Sequence, residues 1–308
     1  MKNRRFLSNI ALLTAALVWG FAFVSQEQAA KHVDAFTVNA TRSFVATIAL
    51  IPLILFTSKK SGRPVLERTK ADRKLLVKAG ALCGTLLCLS SALQQFGITI
   101  YPDDAAVSAR SGFITALYVI FVPIIGLLFF KRRVNFTVWL SVIVAVFGLY
   151  LLCGTNGLSG IYAGDLLVLC CAVSFSLQIL CVDHFIDRVD GVKLAAIQFL
   201  TCGVESMVLM FIFENPSMSE ILLASRYILY LGIMSSGVGY TLQIIGQKYS
   251  DNPTVASILM SLESVFAALG GWMILGKALS IPEIIGCVVV FFAIVLAQLP
   301  TKKKAEQT

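Results

Sequence analysis

The chain has 308 residues, 57% of them hydrophobic and 14% charged, and a net charge of +8. A composition this apolar excludes an ordinary soluble domain of that length. The positive charge suggests nucleic acid only until the basic residues are placed along the chain.

Stretches apolar enough to cross a bilayer, roughly 20 residues each, fall near 8–26, 37–57, 75–98, 104–130, 135–153, 164–183, 194–213, 226–246, 253–275 and 281–299. The first follows Lys2, Arg4 and Arg5 as a signal peptide would. It is long for one, and nine more spans follow, so it reads as a retained helix. The loops between spans are short and leave no room for a soluble catalytic domain. With the N-terminus inside, 19 Lys and Arg fall on the cytoplasmic side, against Lys31, Arg226 and Lys277 on the other. Basic residues collect on the cytoplasmic side of short loops. Both termini are therefore expected inside, with the charge meeting anionic headgroups and no nucleic-acid partner.

A half with an odd number of spans inserts upside down relative to its twin. The expected fold is an all-α integral membrane protein of ten transmembrane helices, built as two inverted five-helix repeats. The parts are 8–153 (first repeat), 154–163 (a glycine-rich outer linker), 164–299 (second repeat) and 300–308 (a basic cytoplasmic tail). The halves echo each other in three blocks. Val33–Asp34 matches Val189–Asp190, which sets Arg42 opposite Gln198. Leu93–Gln94 with Gly97 matches Leu242–Gln243 with Gly246. Leu117, Phe121 and Gly126 match Leu262, Phe266 and Gly271, which sets Tyr118 opposite Glu263. Inverted repeats suit alternating access around a midplane site.

Polar side chains inside a span need a reason, because the helix already satisfies its own backbone. Four carry charge: Arg42 and Arg110 in the first half, Glu205 and Glu263 in the second. At least one Arg–Glu pair is expected to bridge the repeats, against the alternative of a static pair or a snorkelling arginine. Glu263 lies roughly 15 Å deep at 1.5 Å per residue, near the midplane. Uncharged polar residues recur at steps of three and four: Ser108, Ser111, Thr115 and Tyr118; Ser236, Tyr240, Gln243 and Gln247; Ser91 with Gln94; Ser174 with Gln178. Each set shares one helix face. A hydrated cavity is expected at Gln94 and Gln243, and helix packing at the serines, including Ser257, Ser261 and Ser264. Pro52 and Pro123 are expected to bend their spans. The eight cysteines lie in or at the ends of spans without a CxxC pair, and His32 and His184 fall in loops, so no disulfide or metal is expected.

The run Gly112–Phe130 (GFITALYVIFVPIIGLLFF) resembles the fourth span of the drug/metabolite transporter superfamily, EamA type. Ser261–Gly276 (SLESVFAALGGWMILG) is similar to its ninth, and Trp19–Gly20 and Arg42 also fit. The resemblance covers nearly the whole chain as two EamA domains. It implies ten helices, inverted repeats and a central cavity lined mainly by spans one, three, four, six, eight and nine. Members export amino acids, other small metabolites or toxic compounds, and some take up nutrients. Two departures stand out. Lys131–Arg132 and Gly276–Lys277 replace the Gly-Glu that often ends the fourth and ninth spans. Leu262–Glu263–Ser264 replaces Leu-Glu-Pro, so span nine need not kink.

The expected function is a secondary transporter moving a small amphiphilic metabolite, an amino acid or related compound, outward. Trp19, Gln94, Thr115, Tyr118, Gln178, Tyr240, Gln243 and Glu263 are expected to line its cavity. Multidrug efflux and nutrient uptake remain alternatives within the class, and a membrane sensory domain outside it. No GxxxxGK[ST], HExxH or GxSxG motif is present, which argues against ATP drive and against an enzyme. No cofactor is expected, and proton coupling through Glu263 is left open. The partners are the substrate and the lipid bilayer, and a monomer would suffice.

Overall fold

The structure, a computed structural model, describes residues 2–61, 69–102, 107–131, 134–153, 162–250, 252–276 and 281–298. Most of the expected linker (154–161) and the whole basic tail (300–308) lie outside the described residues. The described chain is helical and contains no strand. In order come α1 (Lys2–Ala29), α2 (Ala35–Ser61), α3 (Lys70–Thr99), α4 (Val107–Ala116), α5 (Tyr118–Phe130), α6 (Phe136–Cys153), α7 (Ala163–Phe185) and α8 (Gly191–Phe213). Then follow the short α9 (Met218–Leu223), α10 (Ser225–Leu229), a π-helical stretch (Tyr230–Gly239), α11 (Tyr240–Tyr249), α12 (Pro253–Met260), α13 (Glu263–Leu275) and α14 (Ile281–Gln298).

Among the described residues, eight helical segments are long and apolar enough to cross a membrane. Two shorter apolar stretches, Phe136–Gly148 and Ile284–Ala297, lie in α6 and α14. Large apolar side chains face outward as well as inward. Phe129, Phe136 and Phe213 stand outward, while Asn39, Gln95, Gln178 and Gln198 are wholly buried. That is what a bundle with a lipid exterior requires, since polar groups there must find partners inside.

Helix starts follow from local caps. The Asp190 carboxylate accepts from the amides of Val192 and Lys193 at the start of α8, and the Asn252 side chain accepts from Val255 N beside Pro253 at the start of α12. The Glu214 carboxylate, at the end of α8, accepts from Phe36 N, Thr37 N and the Thr37 hydroxyl, and so caps α2 from a distant part of the chain. Lys131 ends α5 at φ 52° and Gly276 ends α13 at φ 72°, both left-handed. Glycine adopts that conformation freely; lysine does so at a cost.

Packing runs in matched pairs. α1 lies on α13, α11 and the π stretch, while α7 lies on α4, α5 and α3. α2 packs on α8 and the π stretch, and α3 packs on α8 as well as on α7. α6 and α14 pack on each other at the edge. Close contacts match too. A Cβ on Gly84 of α3 would lie 2.6 Å from Gln198 O and from Thr201 Cβ, and one on Gly232 would lie 2.9 Å from Arg42 O and 2.6 Å from Val45 Cβ. Gly97 presses against Gly164 O and Val168, and Gly246 against Ser8 O and Leu12.

Three features differ from the sequence expectation. Span four breaks at Leu117, six residues before Pro123, where Leu117 N bonds Ile114 O and Ile120 N bonds Leu117 O in a tightened turn. Span nine, which need not kink without its proline, breaks at Ser261–Leu262. The cause is visible in the serines. The Ser257, Ser261 and Ser264 hydroxyls donate to Thr254 O, Ile258 O and Ser261 O, each three residues back. They compete with the backbone and bend the helix instead of presenting a packing face alone. Span eight is π-helical in its middle, and the repeat register explains it. Ten residues lead from Gly84 to Gln94 and eleven from Gly232 to Gln243, so span eight holds one residue more between matched points. The wider pitch takes up that residue.

Candidate functional site

The breaks and the π stretch meet at one cavity. Trp19, Ala22, Phe23 and Gln26 reach it from α1, Arg42 from α2, Gln94 from α3, Thr115 from α4 and Tyr118 from α5. The other side brings Phe175, Gln178 and Ile179 from α7, Ser235 from the π stretch, Tyr240 and Gln243 from α11, Met260 from α12 and Glu263 from α13. All eight residues expected at the cavity line it, and Arg42 joins them. Each break delivers the first residue of the following helix to the wall: Tyr118 starts α5 and Glu263 starts α13. Helix N-termini of this kind carry partial positive charge.

The π stretch changes which serine faces inward. Ser235 lines the cavity, and Ser236, expected on that face at a step of four, does not. The Trp19 indole Nε1 donates to Ser235 O at 3.1 Å, and its ring packs against Tyr240 at a tilt of 59° with centroids 4.8 Å apart. Gly239 is obligatory beneath it, since a Cβ there would sit 2.6 Å from Nε1.

Two amide chains flank the cavity. Gln26 Nε2 donates to Gln94 Oε1 at 2.9 Å, and Gln94 Nε2 donates to Thr115 Oγ1 at 3.1 Å. Opposite, Gln243 Nε2 donates to Gln178 Oε1 at 3.3 Å, and Gln178 Nε2 to Gln198 Oε1 at 3.4 Å. Three buried polar atoms on the wall have no hydrogen-bond partner among the described residues: Tyr118 Oη, Gln243 Oε1 and Glu263 Oε1. Tyr118 and Glu263 are electrostatic neighbours. A buried polar group left unpaired costs about 1–3 kcal/mol, so such atoms call for water or a ligand. The cavity, about 40 Å³, has room for roughly three waters.

The expected Arg–Glu bridge is not formed among the described residues. Arg110 meets Asp165 instead, through Nε–Oδ1 and Nη2–Oδ2 contacts of 2.6 Å each, with side chains 5% and 12% exposed. This pair does join the two halves, α4 to α7. Tyr101 Oη donates to Asp165 Oδ1 at 2.7 Å, Tyr162 N donates to Oδ2 at 2.8 Å, and the guanidinium lies 4.6 Å from the Tyr162 ring centroid. Burial and the Asp165 carboxylate push the Tyr101 phenol well above its ordinary value. Nearby, Glu27 accepts from both the amide and the hydroxyl of Ser108, tying α1 to α4. Glu205 faces away from the cavity and accepts from Thr85 Oγ1 at 2.6 Å. Sequence reasoning passed over Asp165 because it opens a helix, where an acidic cap is ordinary. Gln26 was missed as well, although its seven-residue step from Trp19 puts both on one face.

Comparison with known proteins follows from this geometry. The pattern of the EamA-like transporter family matches residues 6–154 and again 162–299. The chain belongs to that family. A protein of Archaeoglobus fulgidus described as an uncharacterized transporter is 25% identical over 96% of this chain and 87% of its own length. The uncharacterized transporter YoaV of Bacillus subtilis is 22% identical over 91% of this chain and 93% of its own. A solved structure titled only as the crystal structure of a protein superposes with a TM-score of 0.72 at 19% identity, over 94% of this chain and 96% of that one. The fold is thus shared with an experimental structure. The protein is a multi-pass membrane transporter of the drug/metabolite type, not an enzyme.

Proposed function

We propose that the protein is a ten-span secondary carrier that moves a small amphiphilic metabolite outward, by alternating access through the cavity around Glu263. The spans are α1, α2, α3, α4–α5, α6, α7, α8, the run from α10 to α11, α12–α13 and α14. The first five and last five are inverted repeats in the membrane of the cell, with both termini cytoplasmic. Three findings support the repeats: the matched packing pairs, the matched close contacts of Gly84 with Gly232 and Gly97 with Gly246, and breaks at the registered positions Leu117 and Leu262. The excess of Lys and Arg on one side supports the orientation.

One observation carries the functional reading. A cavity between the halves is walled by broken helices and holds a carboxylate with an unpaired oxygen. Broken helices around a midplane site are how such carriers form binding groups inside a membrane. At about 40 Å³ the cavity is too small for a metabolite, so binding must accompany movement of the walls. The Arg110–Asp165 pair closes the end of the bundle where α3 ends and α7 begins, taken here as the outer end. Glu263 is assigned to recognise a cationic group or to carry a proton.

Tracer counterflow in proteoliposomes tests this, with amino acids and aromatic cations as the panel. One compound class should exchange in the wild type and fail in Glu263→Gln that still elutes as a folded species. Exchange unaffected by the substitution would remove Glu263 from the path. Binding without any exchange would support a sensory domain instead.

A further inference from the structure

Resting on the orientation proposed above, we infer that a crevice at the cytoplasmic ends of α1, α2, α8 and α11 binds an anionic phospholipid of the inner leaflet. Its phosphate would meet Lys248 and Arg4, and an acyl chain would lie between the helices. The crevice measures about 580 Å³, against about 40 Å³ for the central cavity, and the two share no lining residue. It forms because neighbouring helices lean on different partners. α2 packs on α8 and the π stretch, while α11, which continues the π stretch, packs on α1. Their ends part, and Thr57 of α2 and Tyr249 of α11 become walls of one cavity. Leu7 of α1, Ile186 and Val192 around the turn into α8, and Ile244 of α11 make the rest of the lining largely apolar.

Two observations point to a lipid as the occupant. The first is continuity with an apolar exterior. Leu7 is exposed, as are its neighbours Phe6 and Ile10 on α1 and Phe56 on α2 beside Thr57. An acyl chain can follow such a surface inward, and a soluble polar ligand gains nothing from it. The second is charge. Lys248 is exposed on the lining, and the Arg4 guanidinium lies over the Tyr249 ring, 6.0 Å from its centroid. Among the described residues neither cation meets a carboxylate. Asp190, which also lines the crevice, is engaged at the start of α8, where its Oδ1 accepts from Val192 N and Lys193 N at the positive end of the helix. Lys248, Arg4 and Asp190 therefore leave one positive charge, which a single phosphodiester cancels. Basic pockets between helices on the cytoplasmic side suit anionic headgroups. A zwitterionic lipid brings its own cation and leaves the surplus unanswered.

The test uses the full chain in detergent micelles, with native mass spectrometry counting retained lipids. The probes are phosphatidylglycerol, phosphatidylethanolamine and phosphatidylcholine with the same palmitoyl and oleoyl chains. Wild type should hold phosphatidylglycerol about fivefold or more tighter than either of the others. Fivefold corresponds to about 1 kcal/mol, the worth of one Lys or Arg at an anionic headgroup. The double variant Arg4→Gln with Lys248→Gln should lose the preference. The control, Lys70→Gln with Lys74→Gln, removes two charges from exposed positions of α3 outside the crevice and should keep it. Ile245→Trp, which fills the crevice, should weaken all three lipids alike; should it fail to fold, the comparison of the two double variants stands without it. Wild type with no preference, or one that holds phosphatidylethanolamine as tightly, overturns the inference. So does a preference that survives in the first double variant, or that falls equally in both, which would mean diffuse attraction to a basic face. Binding in micelles needs neither transport nor a given orientation, so these failures leave the carrier reading standing. Labelling of Tyr249→Cys in intact cells with an impermeant maleimide tests the orientation separately. Reaction from outside would overturn the proposed orientation and the inner-leaflet assignment with it, while the lipid preference in micelles would survive.

Discussion

Arg110 and Asp165 allow a quantitative test of how the halves are held together. Their contact is bidentate at 2.6 Å, both side chains are largely buried, and Tyr101 Oη and Tyr162 N complete the carboxylate. Removing one partner of such a pair typically costs about 3–5 kcal/mol, because the other charge is left unanswered. The side chains lie near a helix end and Arg110 also stacks on Tyr162, so the low end, about 3 kcal/mol, is expected for Asp165→Asn. Asn keeps an acceptor for Tyr101 but turns a donor toward the guanidinium. Arg110→Gln should cost about as much, and the double variant little more than either single one. The coupling energy then comes to about 2 kcal/mol or more, well above the roughly 0.5 kcal/mol scatter of independent sites. Reversible denaturant unfolding in mixed micelles, on all four proteins, gives the cycle. Additive losses would refute the reasoning, since they would mean that the two side chains do not stabilise each other.

Two further substitutions probe the packing. A Cβ on Gly20 would lie 2.2 Å from Phe266 Cβ and 2.7 Å from Phe266 C, whereas one on Gly271 meets nothing within 4 Å. Gly20→Ala should therefore cost about 3 kcal/mol or abolish folding, with Gly271→Ala nearly neutral; the yield of monodisperse protein separates them, and equal behaviour would discredit the α1–α13 contact. Lys131→Gly should stabilise by about 0.5–1 kcal/mol, the left-handed cost for lysine less the greater chain freedom of glycine; a lower unfolding midpoint would contradict the left-handed cap.

Much of the cavity's membership was readable in advance, because a polar side chain in a membrane helix has few places to go. Gln94, Gln243, Tyr118 and Glu263 sit in registers that the repeat supplies, and Trp19, Thr115, Gln178 and Tyr240 follow from helical spacing. Their placement, as distinct from their role, needs only periodicity and lipid. What escaped was backbone. Pro123 marks a bend in span four but not its place at Leu117, and the break at Ser261–Leu262 has no proline to announce it, because serine hydroxyls that bond three residues back leave no such plain mark. The π stretch did leave one, a single residue too many between Gly232 and Gln243, but Gly84 had first to be recognised as the counterpart of Gly232. The Arg–Glu pairing weighs only Arg42, Arg110, Glu205 and Glu263, so Asp165 in the first turn of its helix escapes it.

The surplus residue in span eight has a consequence for symmetry. Two halves identical in structure could exchange roles, and the conformation obtained by the exchange would have the same energy as the original. A carrier so built would rest equally on either face of the membrane. Here the halves are not interchangeable, because only the second can widen its helix to reach the Trp19 indole through Ser235 O. The first half has only a longer bond at the matched place, Ser174 Oγ to Leu86 O at 3.4 Å, so the exchanged conformation must forgo the shorter one. The degeneracy is lifted by about the value of one hydrogen bond, roughly 1 kcal/mol, which is a several-fold bias in resting population. On the proposed alternating-access mechanism, one inserted amino acid would thus give the carrier a preferred side.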